Sequence, residues 1–144
     1  MSKKIIDTTE EQWDCSLDIN LKGAFLFCKA IVPHLIKNNC GVIINVSSGA
    51  GKVGFEDIST YCASKFGMIG LAESLAREVA NYNIRVMTIC PVEVATKMQE
   101  DVDVRYYELN KHKMLHPHTV AERIVNMIFR HNEYRNGIAA DLPN

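Results

Sequence analysis

Val42-Ile43-Ile44-Asn45-Val46 is followed directly by the glycine-rich residues 47–51, Ser-Ser-Gly-Ala-Gly. The first five residues are almost all apolar and β-branched, which is typical of a strand buried on both faces. Strands of that kind occur mainly in parallel sheets, so the pattern favours an α/β fold. In open α/β sheets, ligands bind beyond the carboxyl ends of the strands. The glycine-rich loop is therefore the first candidate for a functional site.

Helical and strand patterns alternate on both sides of this strand. We predict helices over residues 8 or 9 to 37, over residues 59–82 and from Pro117 onward, and further strands over residues 84–89 and 138–140. Thr9 and Gln12 have the spacing of a capping box at the first helix start. The stretch 92–116 is polar and weakly patterned. Right-handed crossovers would join these elements into a three-stranded parallel α/β sheet.

The composition is typical of one globular domain. The chain has 144 residues, 47% of them apolar, with 16 Lys and Arg against 17 Asp and Glu and a formal charge of −1. This balance argues against a nucleic-acid binder that acts through bulk charge. No apolar run approaches the roughly 18–20 residues of a membrane span, and the N-terminus lacks the apolar segment of a signal peptide. We therefore expect neither nucleic acid nor a membrane as a partner.

The cysteines and histidines are not grouped in the sequence. Five scattered cysteines without a C-x-x-C pair argue against a disulfide framework or a zinc site, and favour reduced thiols in a cytoplasmic protein. The histidines have no cysteine or carboxylate cluster near them, so no metal is predicted. His116 and His118 flank Pro117 at a helix start, where capping is the favoured role.

A literal G-x-G-x-x-G occurs at Gly49, Gly51 and Gly54. In a dinucleotide site these glycines open a helix at once, so that the helix N-terminus faces the pyrophosphate. Here residues 55–58 intervene before a helix can start. We therefore reject a phosphate site as the main interpretation of this loop.

Tyr61 and Lys65 form the sharper constellation. Residues four apart share one face of a helix, so the two side chains should project together. A nearby ammonium lowers the pKa of a phenol, and such a phenol can exchange a proton with a carbonyl or an alcohol. Ser48 ends the preceding strand and could hydrogen-bond the same substrate oxygen. The alternative is a surface tyrosine stacked on a lysine stem.

Several spaced motifs closely resemble those of the short-chain dehydrogenase/reductase family, and most of all its 3-oxoacyl-carrier-protein reductases. They are Asp18-Ile19-Asn20-Leu21-Lys22-Gly23, Asn45-Val46-Ser47-Ser48-Gly49-Ala50-Gly51, Tyr61-Cys62-Ala63-Ser64-Lys65, Gly70-Leu71-Ala72-Glu73-Ser74-Leu75-Ala76 and Asn83-Ile84-Arg85-Val86 leading to Pro91. The resemblance runs from about residue 8 to residue 128. It implies a Rossmann-like fold and NAD- or NADP-dependent oxidation or reduction of a small-molecule alcohol or carbonyl substrate.

The resemblance also implies roles for individual residues. Tyr61 would be the general acid/base, and Lys65 would lower its pKa and bind the nicotinamide ribose. Ser48 would orient the substrate oxygen, and Asn20 would support a proton-relay water. The loop that begins at Pro91 would contact the nicotinamide, with Val94 and Thr96 at its carboxamide.

Two departures from the family pattern shape the expectations. Val92 follows Pro91 where the family has glycine, and valine resists a positive φ. The initial T-G-x-x-x-G-x-G turn and the later Asn-Asn-Ala-Gly segment are not found in the chain. We therefore expect residues 1–144 to be a single C-terminal portion of such a domain, lacking the N-terminal strands, beginning at an internal methionine and binding NAD(P) weakly.

Three hypotheses follow. The chain is the active half of such an oxidoreductase, a cofactor-deficient relative that serves as an oligomerisation or interaction module, or a half-domain that is active only with a complementing chain. A homo-oligomer or a complementing N-terminal half is the expected partner, since a half-domain uncovers one sheet edge. The sequence does not choose the substrate or decide between NAD and NADP.

Other residues leave alternatives open. Trp13 and Phe25 are expected in the core rather than against a ligand. Gly67 and Gly70 each cost about 1 kcal/mol of helix stability against alanine, which favours either a close contact across a subunit interface or close packing on the sheet. The cations of residues 97–113 would attract an anionic substrate or, as favoured here, belong to a solvated helix face.

Overall fold

The structure is a computed structural model that describes residues 2–143. The strands are β1 (Gly41–Val46), β2 (Ile84–Pro91) and β3 (Ala139–Leu142). The helices are α1 (Glu10–Leu17), α2 (Gly23–Asn38), α3 (Ser59–Glu78), α4 (Lys97–Val102), α5 (Val104–Asn110) and α6 (Pro117–Phe129). The three strands form a parallel sheet in the order β1-β2-β3. The predicted class, a partial Rossmann-like parallel sheet with crossover helices, is confirmed.

The first helix is one continuous element whose geometry changes along its length. Thr9 and Gln12 form the predicted capping box, and Asn39 ends α2 in the left-handed conformation with φ 48°. Between α1 and α2 the backbone makes a π-helical turn over Asp18–Lys22. Pro33 does not end the helix. Such π turns inside helices are frequent at functional sites.

The buried strand is β2 and not β1. Every residue of β2 except Arg85 is buried, whereas β1 is only half-buried and Val46 at its end is 46% exposed. The expectation that β1 is buried on both faces is therefore wrong for this chain. β1 is only half-buried because it lies at the edge of the sheet, where it pairs with β2 on one side only.

Two apolar clusters cover the faces of β2. On one face, α2 and α3 pack against Ile84 and Val86, with Ala72, Leu75 and Val79 at the centre. On the other face, Met127 of α6 packs on Met87, Ile89 and Ala140. The first cluster packs the second half of α3 on the beginning of β2. The start of α3 lies toward the other end of the sheet, where Lys65 reaches the Val46 carbonyl and where the candidate site lies.

Much of the apolar surface of α1 and α2 remains uncovered. Trp13 and Phe25, which were expected in the core, are 37% and 45% exposed, and Phe27 is 77% exposed. By length and composition alone, the helix Glu10–Asn38 meets the requirements of a membrane span, because an 18-residue stretch within it has a mean hydropathy of 1.4. This corrects the expectation that no apolar segment reaches that length, although core helices of soluble proteins pass the same test.

Candidate active site

Tyr61 and Lys65 lie side by side on the first turns of α3. The Lys65 Nζ lies 5.5 Å from the centroid of the Tyr61 ring, and it donates a hydrogen bond to the Val46 carbonyl at 3.0 Å. Val46 ends β1, so this bond ties the helix to the carboxyl end of the strand. The structure therefore brings the predicted pair together at the edge of the sheet where ligands bind in α/β folds.

The pKa of Tyr61 moves in the direction opposite to the expected one. Burial raises the pKa of the Tyr61 phenol, and the neighbouring Ser48 side chain, which favours the phenolate, offsets part of that rise. Burial also lowers the pKa of Lys65, with Cys90 opposing it. The Lys65 ammonium lies over the ring and is bonded to a carbonyl, which explains why burial dominates at Tyr61 in this geometry.

Ser48 is held by its own loop. Its Oγ accepts the N–H of Ala50 at 3.2 Å and caps a single 3₁₀ turn, Gly49–Gly51. The hydroxyl proton is not used in that bond, so it stays available to a ligand oxygen. The Ser48 side chain also lowers the pKa of the Tyr61 phenol and so opposes the effect of burial.

Of the three glycines in this loop, Gly51 serves close packing. A Cβ on Gly51 would lie 2.5 Å from the Ser47 Oγ and 2.9 Å from the backbone oxygen of Lys65. Ser47 Oγ in turn donates to that same oxygen at 3.1 Å. Gly54 has no heavy atom within 4 Å of the position that a Cβ would take. The loop therefore touches α3 closely at Gly51, where protein atoms fill the space, and not at Gly54.

Asn20 reaches α3 through a residue that sequence reasoning missed. Its Nδ2 donates to the Ser64 Oγ at 3.1 Å, and Ser64 Oγ donates to the Tyr61 carbonyl at 2.7 Å. Ser64 is fully buried. The π-helical turn that carries Asn20 thus lies against the helix turn that carries Tyr61. Ser64 lies inside the Tyr61-x-x-x-Lys65 motif, and this position in the sequence could have indicated that it belongs to the site.

The loop 92–96 is tied down at both ends. Val92 N–H donates to the Leu142 carbonyl at 3.2 Å, which extends the pairing of β2 with β3. Val94 pairs with Leu115 in an isolated parallel bridge. Thr96 caps α4, because its Oγ accepts the N–H of Gln99 at 3.4 Å. Valine at position 92 therefore needs no positive φ, since the non-glycine residues with positive φ are Asn39, Asp57 and Asn83.

Among residues 2–143, no group of three or more His, Cys, Asp or Glu side chains lies close enough together to hold a metal ion. Three further predictions have structural outcomes. His116 caps α6, with Nδ1 accepting the N–H of His118 at 3.2 Å. Lys97 and Lys111 make ion pairs with carboxylates of their own segments, which supports the solvated face. Gly67 packs against Leu21 rather than on the sheet.

Comparison with known proteins gives a consistent family. The family model described as short chain dehydrogenase matches residues 1–106. The chain is 41% identical over 96 residues to a 3-oxoacyl-(acyl-carrier-protein) reductase of Thermotoga maritima, which covers 67% of this chain and 39% of that protein. It is 37% identical over 125 residues to the human (3R)-3-hydroxyacyl-CoA dehydrogenase, covering 86% of this chain and 42% of that protein.

The fold has a solved counterpart. The crystal structure of the TT0495 protein from Thermus thermophilus matches with a TM-score of 0.86 and 25% sequence identity, covering 99% of this chain and 64% of that one. The chain spans about two fifths of the length of the curated relatives it matches. The motifs around Ser48, Tyr61 and Lys65 and these matches agree, and the chain belongs to the short chain dehydrogenase family.

Proposed function

We propose that this chain carries the acid/base half of an NAD- or NADP-dependent oxidoreductase that acts on a carbonyl or alcohol. The observation that carries the proposal is the half-buried Tyr61 ring with the Lys65 ammonium 5.5 Å from its centroid. The effect of Ser48 on the pKa of Tyr61 supports a place for Ser48 in the same site. The names of the relatives, a reductase of 3-oxoacyl groups and a dehydrogenase of 3-hydroxyacyl groups, support the same reaction class.

Tyr61 supplies the proton in this mechanism. Since burial raises the pKa of Tyr61, the phenol is protonated at neutral pH and can donate to the oxygen of a bound carbonyl as that oxygen gains charge. The Ser48 hydroxyl, whose oxygen accepts the Ala50 N–H, donates a hydrogen bond to the same substrate oxygen and orients it. In the reverse reaction Tyr61 must first be ionised to take the alcohol proton, and burial, which raises its pKa, opposes that ionisation.

The residues present fit one end of the cofactor. NAD(P), when bound, supplies or accepts the hydride. Lys65 has three donors and spends one on Val46, so two remain for ribose hydroxyls. Pro91, Val94 and Thr96 belong to a loop held firmly beside this site and would contact the nicotinamide. The 3₁₀ turn at Gly51 is filled by protein, so we expect no pyrophosphate there and weak cofactor binding.

A second part of the proposal concerns a partner. β1 has an unpaired edge, and a groove of about 550 Å³ lies along it, lined by apolar residues of α2 and β1 that include Ala24, Phe27, Ile31 and Ile44. A further strand could pair with the open edge of β1, and a helix attached to that strand could cover the exposed apolar side chains of α2. We infer that a complementing N-terminal half fills this groove. Separately, the five free cysteines fit the reducing environment of the cytoplasm, and we propose that location for the protein.

Two other outcomes remain to be separated by experiment. A homo-oligomer would use the apolar groove of about 410 Å³ between Leu17, Leu21, Phe25 and Leu71. A non-enzymatic interaction module would bind its partner and show no turnover. Both alternatives rest on the same uncovered helix faces, so oligomeric state and activity have to be measured together.

Complementation tests the proposal. The N-terminal part of the Thermotoga maritima reductase that this chain does not match is produced separately and mixed with the 144-residue chain. We expect a one-to-one complex that oxidises reduced cofactor in the presence of a 3-oxoacyl thioester. Tyr61→Phe should abolish turnover without dissociating the complex, and Tyr82→Phe, an exposed tyrosine outside the site, is the matched control. A complex without turnover, or full activity of Tyr61→Phe, would refute the catalytic assignment.

A further inference from the structure

The segment 97–110, called here the lid segment, is poorly anchored by apolar packing. It consists of α4 and α5, and neither helix contains a buried residue. Its apolar side chains are exposed, among them Met98, Val104 and Leu109 at 58–67%. Segments with few buried apolar contacts open with a small free-energy cost. The position of the lid segment must therefore depend on its polar contacts.

Main-chain bonds hold the two ends of this region. Leu115 N–H donates to the Glu93 carbonyl at 2.9 Å, and Ala95 N–H donates to the Leu115 carbonyl at 2.9 Å. These bonds close residues 93–115 into a loop with a fixed base. They do not touch the helices between, so they leave the orientation of the lid segment open.

The side chain of Glu93 supplies the missing contact. One carboxylate oxygen accepts the Tyr106 hydroxyl of α5 at 3.1 Å, and the other accepts the Gln99 Nε2 of α4 at 3.4 Å. Each lid helix is thus bonded to the same residue, which lies two positions after Pro91. The carboxylate also raises the pKa of Tyr106, so the phenol keeps the proton that it donates.

We propose that Glu93 is a positioning residue whose carboxylate latches α4 and α5 to the loop 92–96. The inference rests on the proposed function only for what that loop would hold, the nicotinamide end of a cofactor. The latch itself is a property of the chain without ligand. Losing it frees the lid segment to swing on its base at Glu93 and Leu115 while the sheet stays folded.

Amide hydrogen exchange of the 144-residue chain tests the latch. The variants are Glu93→Ala, which removes both bonds, and Tyr106→Phe, which removes one bond and keeps the ring. Tyr107→Phe is the matched control, since Tyr107 is the neighbouring tyrosine and its ring lies near Lys111 instead. The amides of β2 serve as an internal reference for the folded state.

Exchange in the lid segment should rise about threefold to tenfold in Glu93→Ala, the range expected for lost hydrogen bonds, and less in Tyr106→Phe. Exchange in β2 should not change, and Tyr107→Phe should match the unmodified chain. Lid exchange within twofold of the control in both latch variants would overturn the proposal. This readout needs no turnover, so a failure of the latch is distinguishable from a failure of the Tyr61 mechanism.

Discussion

Replacing Gly51 by alanine should destabilise the fold by about 1–3 kcal/mol. The added Cβ would lie 2.5 Å from the Ser47 Oγ, 2.9 Å from the Lys65 carbonyl oxygen and 3.0 Å from the Ile69 Cδ1. Ser47 and Ile69 can turn away, but the Lys65 oxygen belongs to the helix backbone and cannot. Turning Ser47 also breaks its bond to Lys65, and the loss exceeds the roughly 0.4–1 kcal/mol that alanine gains by restricting the unfolded chain.

Urea unfolding followed by helix circular dichroism measures this change. Gly54→Ala is the control in the same loop, because no heavy atom lies within 4 Å of its added Cβ, and its free energy of unfolding should be unchanged or slightly higher. Combining Gly51→Ala with Ser47→Ala should cost less than the sum of the two single changes, since they share one clash. Equal unfolding midpoints for Gly51→Ala and Gly54→Ala would refute the packing role of this loop.

Three further outcomes are expected. Gly70→Ala should raise the free energy of unfolding by up to about 1 kcal/mol, because its Cβ would meet open space inside a helix, whereas Gly67→Ala should gain less, because its Cβ would lie 2.7 Å from a leucine methyl. Asn136→Ala should cost about 1–3 kcal/mol in urea unfolding, since Asn136 bonds a β2 N–H at 2.8 Å and an α3 carbonyl at 3.1 Å. Tyr61 should ionise above pH 10.0 in a difference absorbance titration against Tyr61→Phe, because burial raises its pKa in the folded chain. The stability that protonated Tyr61 contributes is present below pH 10.0 and is lost as the pH rises through the folded pKa. Ionisation of Tyr61 at or below pH 10.0 would contradict this direction.

Local patterns sufficed for much of the fold. Thr9 and Gln12 form the predicted capping box, and the alternation of helices and strands produces the predicted parallel sheet. The Tyr61-x-x-x-Lys65 spacing placed both side chains on one helix face, because helix geometry depends only on nearby residues. These features depend on residues that are close together in the chain, so a sequence pattern predicts them.

The tertiary structure decided what depends on distant neighbours. Strand order made β2 the buried strand and left β1 at the edge, although residues 42–46 are as apolar as a buried strand. Burial set the upward direction of the Tyr61 pKa, which the helical spacing of Tyr61 and Lys65 alone does not reveal. The bond between Glu93 and Tyr106 joins residues thirteen positions apart across a stretch with no clear pattern.

By itself, then, the sequence determined the elements and the chemistry that they carry, because propensity, capping and helical spacing act locally. Only the tertiary structure decided burial, charge environment and the contacts of the loops at Glu93 and Gly51. Those depend on which surfaces meet when the chain folds, and a solvent-exposed or buried position gives the same residue a different pKa and a different packing cost.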